Sequence, residues 1–335
     1  MTSKSGMLPE AKFRDPRRCS RAIIISTILL LLAVLSTIHF YERVIVTYSK
    51  QRVRLLDSVL EGDAKPPYKY RIALPYLEHA ISSNLLSDKT PLDQHRIAST
   101  ALVFLFLALF NCFFFLYLST LCSIPAAMLG VVVFHCIIPF TITGRYMDGD
   151  FVTIAFYALA LFFMQSRKDL LLLPLVALAT LNREQSVFII GLYFVHVLCR
   201  RELNRRTISG MVGSLIVFLL VYLGVRWNFG FKASKYTFAF HIAQNTDAEN
   251  FFQKIIPAWS KIVLPLVVFA ALSVRGSDRF LKWSFIALLP YTILFFFNGK
   301  LWELGKFLPA FIIMIALCVR RLDERPTASL LKSEP

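Results

Sequence analysis

Charged side chains interrupt long apolar runs at four places in this chain, and their types fit the handling of a phosphate or a proton. "GRYMDGDF" (residues 144–151) carries Arg145, Asp148 and Asp150 between two apolar runs. "LATLNREQSVF" (178–188) sets Asn182, Arg183 and Glu184 inside a run from Leu170 to Leu198. "PPYKYRIALPYLEHAI" (66–81) brings Tyr68, Tyr70 and Arg71 beside two prolines, and "KLWELGKFLPAF" (300–311) brings Glu303 and Lys306. A guanidinium makes forked bonds to phosphate oxygens, so Arg71, Arg145 and Arg183 are candidate anion binders with Tyr70, Asp150, Glu303 and Lys306 as further contacts. A carboxylate in an apolar surround is a better proton acceptor near neutral pH, which makes Asp148 and Glu184 candidate bases. Upstream, "RLLDSVLEG" places Asp57 and Glu61 four apart on one helical face, and Asp57 is the third candidate base.

Simpler roles stand beside these. Asp57 and Glu61 suit a solvated helix face. Asp150 suits a helix cap. Arg183 and Glu184 suit an ion pair at a hairpin tip, with each other or with Asp148. The aromatic-rich loop "WNFGFKASKYTFAFHIAQ" suits an interface anchor or a sugar site, and His241 alone indicates no metal.

The elements that must hold these groups are membrane helices. The chain of 335 residues is 56% hydrophobic and 17% charged, with mean hydropathy +0.60. Soluble chains carry roughly 25% charged residues. Apolar runs long enough to cross a hydrocarbon core of roughly 30 Å recur, and backbone inside lipid must satisfy itself, which selects helices. The expected fold is all-α: a polytopic transmembrane bundle with about ten spans. They fall near residues 22–42, 98–120, 124–142, 149–165, 169–182, 185–199, 209–226, 259–274, 281–297 and 304–320. The fifth and sixth are short and read equally as a re-entrant hairpin. A structured first outer loop, about 43–97, holds interfacial helices, with Leu74, Leu77, Ile81 and Leu85 at helical spacing. The first run lacks a cleavage pattern and reads as a retained span. The division is thus a basic N-terminus (1–21), a transmembrane domain (22–320) and a tail (321–335).

Charge sets the expected orientation. Ten spans put the N-terminus, "SRKD", "RRELNRR", "RGSDRFLK" and the tail on one side, with 19 of the 37 Lys and Arg. Both termini are then cytoplasmic, and the four charged motifs face away from the cytoplasm. The formal charge of +16 reads as a topology signal and a fit to anionic lipid, not as a nucleic-acid surface, because the basic residues are scattered over span ends. Six cysteines lie in or beside apolar runs or in the N-terminus, without metal-ligand spacing. No nucleotide-type glycine-rich loop, HExxH, GxSxG or CxxC occurs.

In order along the chain, "PYKYRIALPYL", an Asp at the start of the fourth span, "ALATLNREQSVF" and "WELGKFLPAFIIMIAL" resemble the bacterial multi-pass glycosyltransferases of the GT-C-like superfamily. Tyr70, Arg71 and Pro75 match the pattern P-x-R-Y-R-x-L-x-P of that group. Arg183 and Glu184 match L-x-R-E-T, and Glu303, Leu308 and Pro309 match E-x-R-x-x-L-P. Gln185 replaces the usual Thr, and Lys306 stands near the usual Arg, which loses the fork. Better-known members place an acid just after the first span, where Asp57, Glu61 or Asp63 would stand. The resemblance implies a polyprenyl-phosphate sugar donor, a glycan or glycolipid acceptor, and work at the outer face of a bacterial plasma membrane. A divalent cation could assist, though no motif requires one. Other readings are a polymerase of lipid-linked repeat units, a flippase or transporter of lipid-linked sugars, and a non-catalytic membrane subunit.

Overall fold

The structure, a computed structural model, describes residues 16–234 and 236–330. Lys4, Lys12 and Arg14 of the basic N-terminus and Lys332 of the tail lie outside the described residues. The described chain is helical, without strands. Among the described residues seven helices are long and apolar enough to cross a membrane, so the multi-pass membrane class holds; about ten spans are expected from the sequence.

The first span differs from its expected limits. Helix α1 (Pro16–Phe40) continues through a π-helical turn (Tyr41–Val46) into α2 (Thr47–Leu60). The apolar stripe does not stop at residue 42: Ile45, Ser49, Arg52 and Val59 keep helical spacing and are buried. The combined helix Ser20–Leu60 has 41 residues, or roughly 60 Å at about 1.5 Å per residue, about twice the hydrocarbon core. What had been read as the start of a loop is therefore a continuation of the first helix. After it come a short turn (Tyr68–Tyr70) and α3 (Ala73–Leu85), with Pro75 in its first turn.

Helix α4 (Pro91–Ser119) begins where a start signal predicts it. Thr90 accepts from the Asp93 amide at 3.3 Å, and Pro91 opens the first turn. It is followed by α5 (Ile124–Thr141), α6 (Asp148–Gln165), α7 (Leu172–Asn182) and α8 (Val187–Arg200). The limbs Asp169–Asn182 and α8 each have 14 residues, about 21 Å long, and neither alone covers the core. Next are α9 (Arg205–Phe229), with an Asn204–Thr207 capping box, and the short α10 (Phe238–Thr246). Then follow α11 (Ala248–Ser273, including two π-helical turns), α12 (Arg279–Asn298) and α13 (Leu308–Leu330).

Helices α1, α4, α5, α6 and α13 make the centre, with the largest contact between α4 and α6. Between helices in lipid, packing and polar bonds replace the hydrophobic drive. Phe110 stacks on Phe114 at 5.2 Å and meets Phe134 at 4.4 Å, and the edge of Phe40 meets Phe151 at 5.0 Å. His135 pins three helices. Its Nδ1 meets Ser36 Oγ and its Nε2 meets Asn111 Oδ1, both at 2.6 Å. Asn111 donates its amide to the Leu29 carbonyl, so its oxygen accepts from His135 Nε2–H, and Nδ1 accepts from Ser36.

Candidate functional site

The four charged motifs meet at one end of the bundle, around the first turn of α6. Asp148 and Asp150 both stand in that turn, where exposed amides and the helix dipole favour carboxylates. Asp150 does not cap the helix: Met147 is at the cap position, without a side-chain bond. The helix instead presents the two acids to two different arginines.

Arg52 of α2 takes Asp148 in a forked pair, Nη1 to Oδ1 at 2.9 Å and Nη2 to Oδ2 at 3.0 Å. The same guanidinium donates to the Arg145 carbonyl and to Ser99 Oγ, each at 2.8 Å. Its Nε–H donates to His95 Nε2 at 3.1 Å. Arginine is always a donor, so His95 Nε2 accepts, its Nδ1 carries the proton, and that proton points at Glu78 Oε1. Glu78 of α3, His95 of α4, Arg52 of α2 and Asp148 of α6 thus form one buried chain.

Asp150 belongs to a second cluster. Arg183 Nη1 lies 2.6 Å from its Oδ1, and Lys306 Nζ lies 4.0 Å from the same oxygen. Arg183 and Asp150 side chains are only 3% and 2% exposed. The Oδ2 of Asp150 and the Nε of Arg183 have no hydrogen-bond partner among the described residues. The α7–α8 tip delivers Arg183 because its backbone turns extended there, at φ −157° and ψ 144°. Asn182 fixes the tip to α6 by donating to the Gly149 carbonyl at 2.9 Å and to Thr153 Oγ1 at 3.0 Å. Tyr157 donates to the Gln185 carbonyl at 2.8 Å. A Cβ on Gly149 would stand 3.0 Å from Arg183 Nε, so a bare backbone lets the arginine in.

Lys306 lies in a tight turn (Leu304–Phe307) ahead of α13, which starts later than the expected 304. Tyr291 holds that turn by donating to the Lys306 carbonyl at 2.5 Å. A Cβ on Gly305 would come within 3.1 Å of Asp150 Oδ2. Burial, with Arg183 next, outweighs the pull of Asp150 and brings the Lys306 ammonium down to about 8. The third pair is Arg71 Nη2 with Glu184 Oε1 at 2.8 Å. Burial works against the Glu184 charge, but Arg71 overrides it and holds the carboxyl at about 2.

Tyr68 stands at the junction, against Tyr146 at 5.2 Å and under Arg71 at 5.9 Å. It lines three cavities. A small one, about 80 Å³, lies between Arg52, Arg71, Asp148 and Arg183. One of about 410 Å³ is lined by Arg71, Glu184, Gln185, Tyr236, His241 and Lys306, among others. One of about 440 Å³ is lined by Arg145, Asp150, Tyr236, Lys300, Glu303 and Lys306, among others. The two large cavities share Tyr68, Tyr236, Lys300, Glu303 and Lys306.

Arg71, Arg145, Asp148, Asp150, Arg183, Glu184, Glu303 and Lys306, all expected from the sequence, therefore gather here. Four of the expected residues do not. Asp57 is exposed on α2 and lines none of these cavities, and Glu61 and Asp63 are exposed as well. Tyr70 is buried and structural: its hydroxyl donates to the Gly230 carbonyl at 2.9 Å and accepts from the Lys232 amide at 3.0 Å. Glu303 lies at the shared wall, and its carbonyl, not its side chain, bonds Lys306. Arg52, Glu78 and His95 were missed. The signal for Arg52 was its place on the stripe that carries Ile45, Ser49 and Val59. Among the described residues no group of three or more His, Cys, Asp or Glu could hold a metal ion.

Compared with family models, curated proteins and solved structures, the chain finds no match.

Proposed function

We propose that this chain is a membrane glycosyltransferase. It moves a sugar from a polyprenyl-phosphate-linked donor to a glycan or glycolipid acceptor at the extracytoplasmic side of a bacterial plasma membrane. The observation that carries the reading is the convergence of Arg71 and Lys306 on adjoining cavities beside Asp150, with Arg183 against Asp150 at 2.6 Å on the smaller cavity next to them. The charge asymmetry of the loops supports the choice of side.

In the reaction an acceptor hydroxyl oxygen attacks the anomeric carbon. The bond from that carbon to the phosphate oxygen breaks, and its electron pair leaves with the phosphate. Arg183 and Lys306 meet that growing negative charge. As Arg183 turns to the phosphate, Asp150 is released to take the hydroxyl proton. Asp150 suits this role better than Asp148, because it has a carboxylate oxygen without a hydrogen bond while both oxygens of Asp148 are held by Arg52. Asp148 becomes a positioning residue for the loop. Glu184, fixed by Arg71, orients that arginine over the cavity of about 410 Å³.

The test is transfer by the purified chain from a panel of polyprenyl-phosphate sugars, joined to the glycan profile of a deletion strain. Asp150→Asn lowers turnover by about 10²–10⁴-fold, while Asp57→Asn leaves it unchanged. A deletion strain with normal glycans, or wild-type turnover from Asp150→Asn, refutes the proposal.

A further inference from the structure

Beyond this site, a further cavity lies on its flank. About 600 Å³ is enclosed by His39, Arg43, Tyr48, Pro139, Thr143 and Arg145, among others. None of the lining side chains is acidic; Glu42 lies next to Arg43 in sequence but does not line the groove. Neither Arg43 nor His39 makes a hydrogen bond or ion pair among the described residues. Arg145 spends one nitrogen on Gln51 Oε1 at 2.5 Å and lies over the Tyr48 ring at 5.5 Å.

Depth fixes what reaches this groove. About 20 helical residues cross a hydrocarbon core, so a span that enters near Ala22 leaves it near Tyr41. Helix α5, with 18 residues, ends at Thr141 on the same flank. His39, Arg43 and Arg145 therefore stand at the headgroup level. Ile38 and Val46, exposed at 49% and 40%, flank the groove in sequence, and Phe140, exposed at 59%, lines it, which gives the groove an apolar border. Pro139 lines the groove, and its missing N–H ends the helical bond to the His135 carbonyl. An unpartnered cationic groove at that depth, with an apolar border, matches one kind of occupant.

We propose that this groove is a docking site for the phosphodiester headgroup of an anionic bilayer phospholipid, held by Arg43, Arg145 and His39. The site selects anionic over zwitterionic headgroups, because an ethanolamine ammonium would meet Arg43 and find no carboxylate. Through Thr143, Gly144 and Arg145, which also line the Asp150 cavity, the bound headgroup steadies the loop that carries the acids. The proposal needs the membrane reading of the fold but not the glycosyltransferase reading.

The test uses the full chain in bilayer discs that contain equal phosphatidylglycerol and phosphatidylethanolamine, with the lipids retained on release counted by native mass spectrometry. Wild-type protein retains phosphatidylglycerol preferentially, and millimolar inorganic phosphate does not displace it. Arg43→Gln lowers the preference about fivefold, and His39→Gln lowers it less. Lys50→Gln, exposed on the same helix outside the groove, leaves it unchanged. Equal retention of the two lipids by wild-type protein overturns the proposal without any variant. So does an equal loss in Arg43→Gln and Lys50→Gln, which would mark general surface charge, or displacement by free phosphate, which would mark a soluble-anion site. A polyprenyl phosphate that competes more strongly than phosphatidylglycerol also overturns it, since the groove would then be a donor subsite.

Discussion

The pair of Asp150 and Arg183 gives the sharpest quantitative test, because both side chains are almost wholly removed from solvent and a third charge stands close. At 2.6 Å the attraction in an effective dielectric near 20 is about 6 kcal/mol before desolvation, and Lys306 at 4.0 Å adds about 4 kcal/mol of the same kind. Desolvation cancels much of this, so the net worth of the cluster is small while the cost of breaking it is large. The arrangement also predicts an asymmetry. Asp150→Asn leaves Arg183 and Lys306 facing each other without a counter-charge and costs about 3–5 kcal/mol. Arg183→Met leaves Asp150 with Lys306 as partner and costs less, about 1–3 kcal/mol. The double variant is less destabilised than the sum of the singles by about 1–3 kcal/mol. The assay is unfolding of the purified chain in mixed micelles by dodecyl sulfate titration, read by far-ultraviolet circular dichroism. If Asp150→Asn costs no more than Arg183→Met, or if the two effects add within about 0.5 kcal/mol, the carboxylate does not hold the two cations together. The cluster argument then fails.

Other outcomes follow from the same geometry. Glu184 is held at about 2, below its unfolded value of 4.5, so its contribution is present above pH 4.5 and fades as pH falls toward 2; Glu184→Gln removes that part of the acid-stability profile. Lys306, brought down to about 8 from 10.5, gives the same direction at higher pH, because its charged form is the one the fold disfavours. The unfolded chain binds the extra proton between these values, so stability rises with pH across that window. Acetylation of Lys306, followed by peptide mass spectrometry, shows a midpoint near 8, and Lys306 acetylation in Asp150→Asn has a lower midpoint because a stabilising carboxylate is gone. Gly149→Ala crowds Arg183 at 3.0 Å and costs about 1–3 kcal/mol in the same dodecyl sulfate titration; an unchanged midpoint would mean the tip has room. His135→Leu removes two bonds that join α1, α4 and α5 and costs about 1–2 kcal/mol.

The chain's own composition and periodicity determined the class of this protein. Runs such as 98–120 and 124–142 have one physical solution in lipid, a helix that satisfies its own backbone, and the structure has α4 and α5 there. The site's ingredients were legible for the same reason: a charge inside an apolar run needs a partner, and "NREQ" and "GRYMDGD" stood out by that cost alone. The partners were not legible. Arg183 chose Asp150, Glu184 chose Arg71, and Asp148 chose Arg52, a residue the sequence reading left in a loop. Local spacing fixes which face of a helix a side chain takes, but it carries no information on which distant helix will lie against that face. The partners of these three ion pairs stand 33, 113 and 96 positions apart in sequence, and only the packing of α2, the segment at Arg71, α6 and the α7–α8 tip brings them to contact. That packing separated Asp150, with an oxygen that has no hydrogen bond, from Asp148, with both oxygens held by Arg52, and it placed Asp57 outside the site altogether.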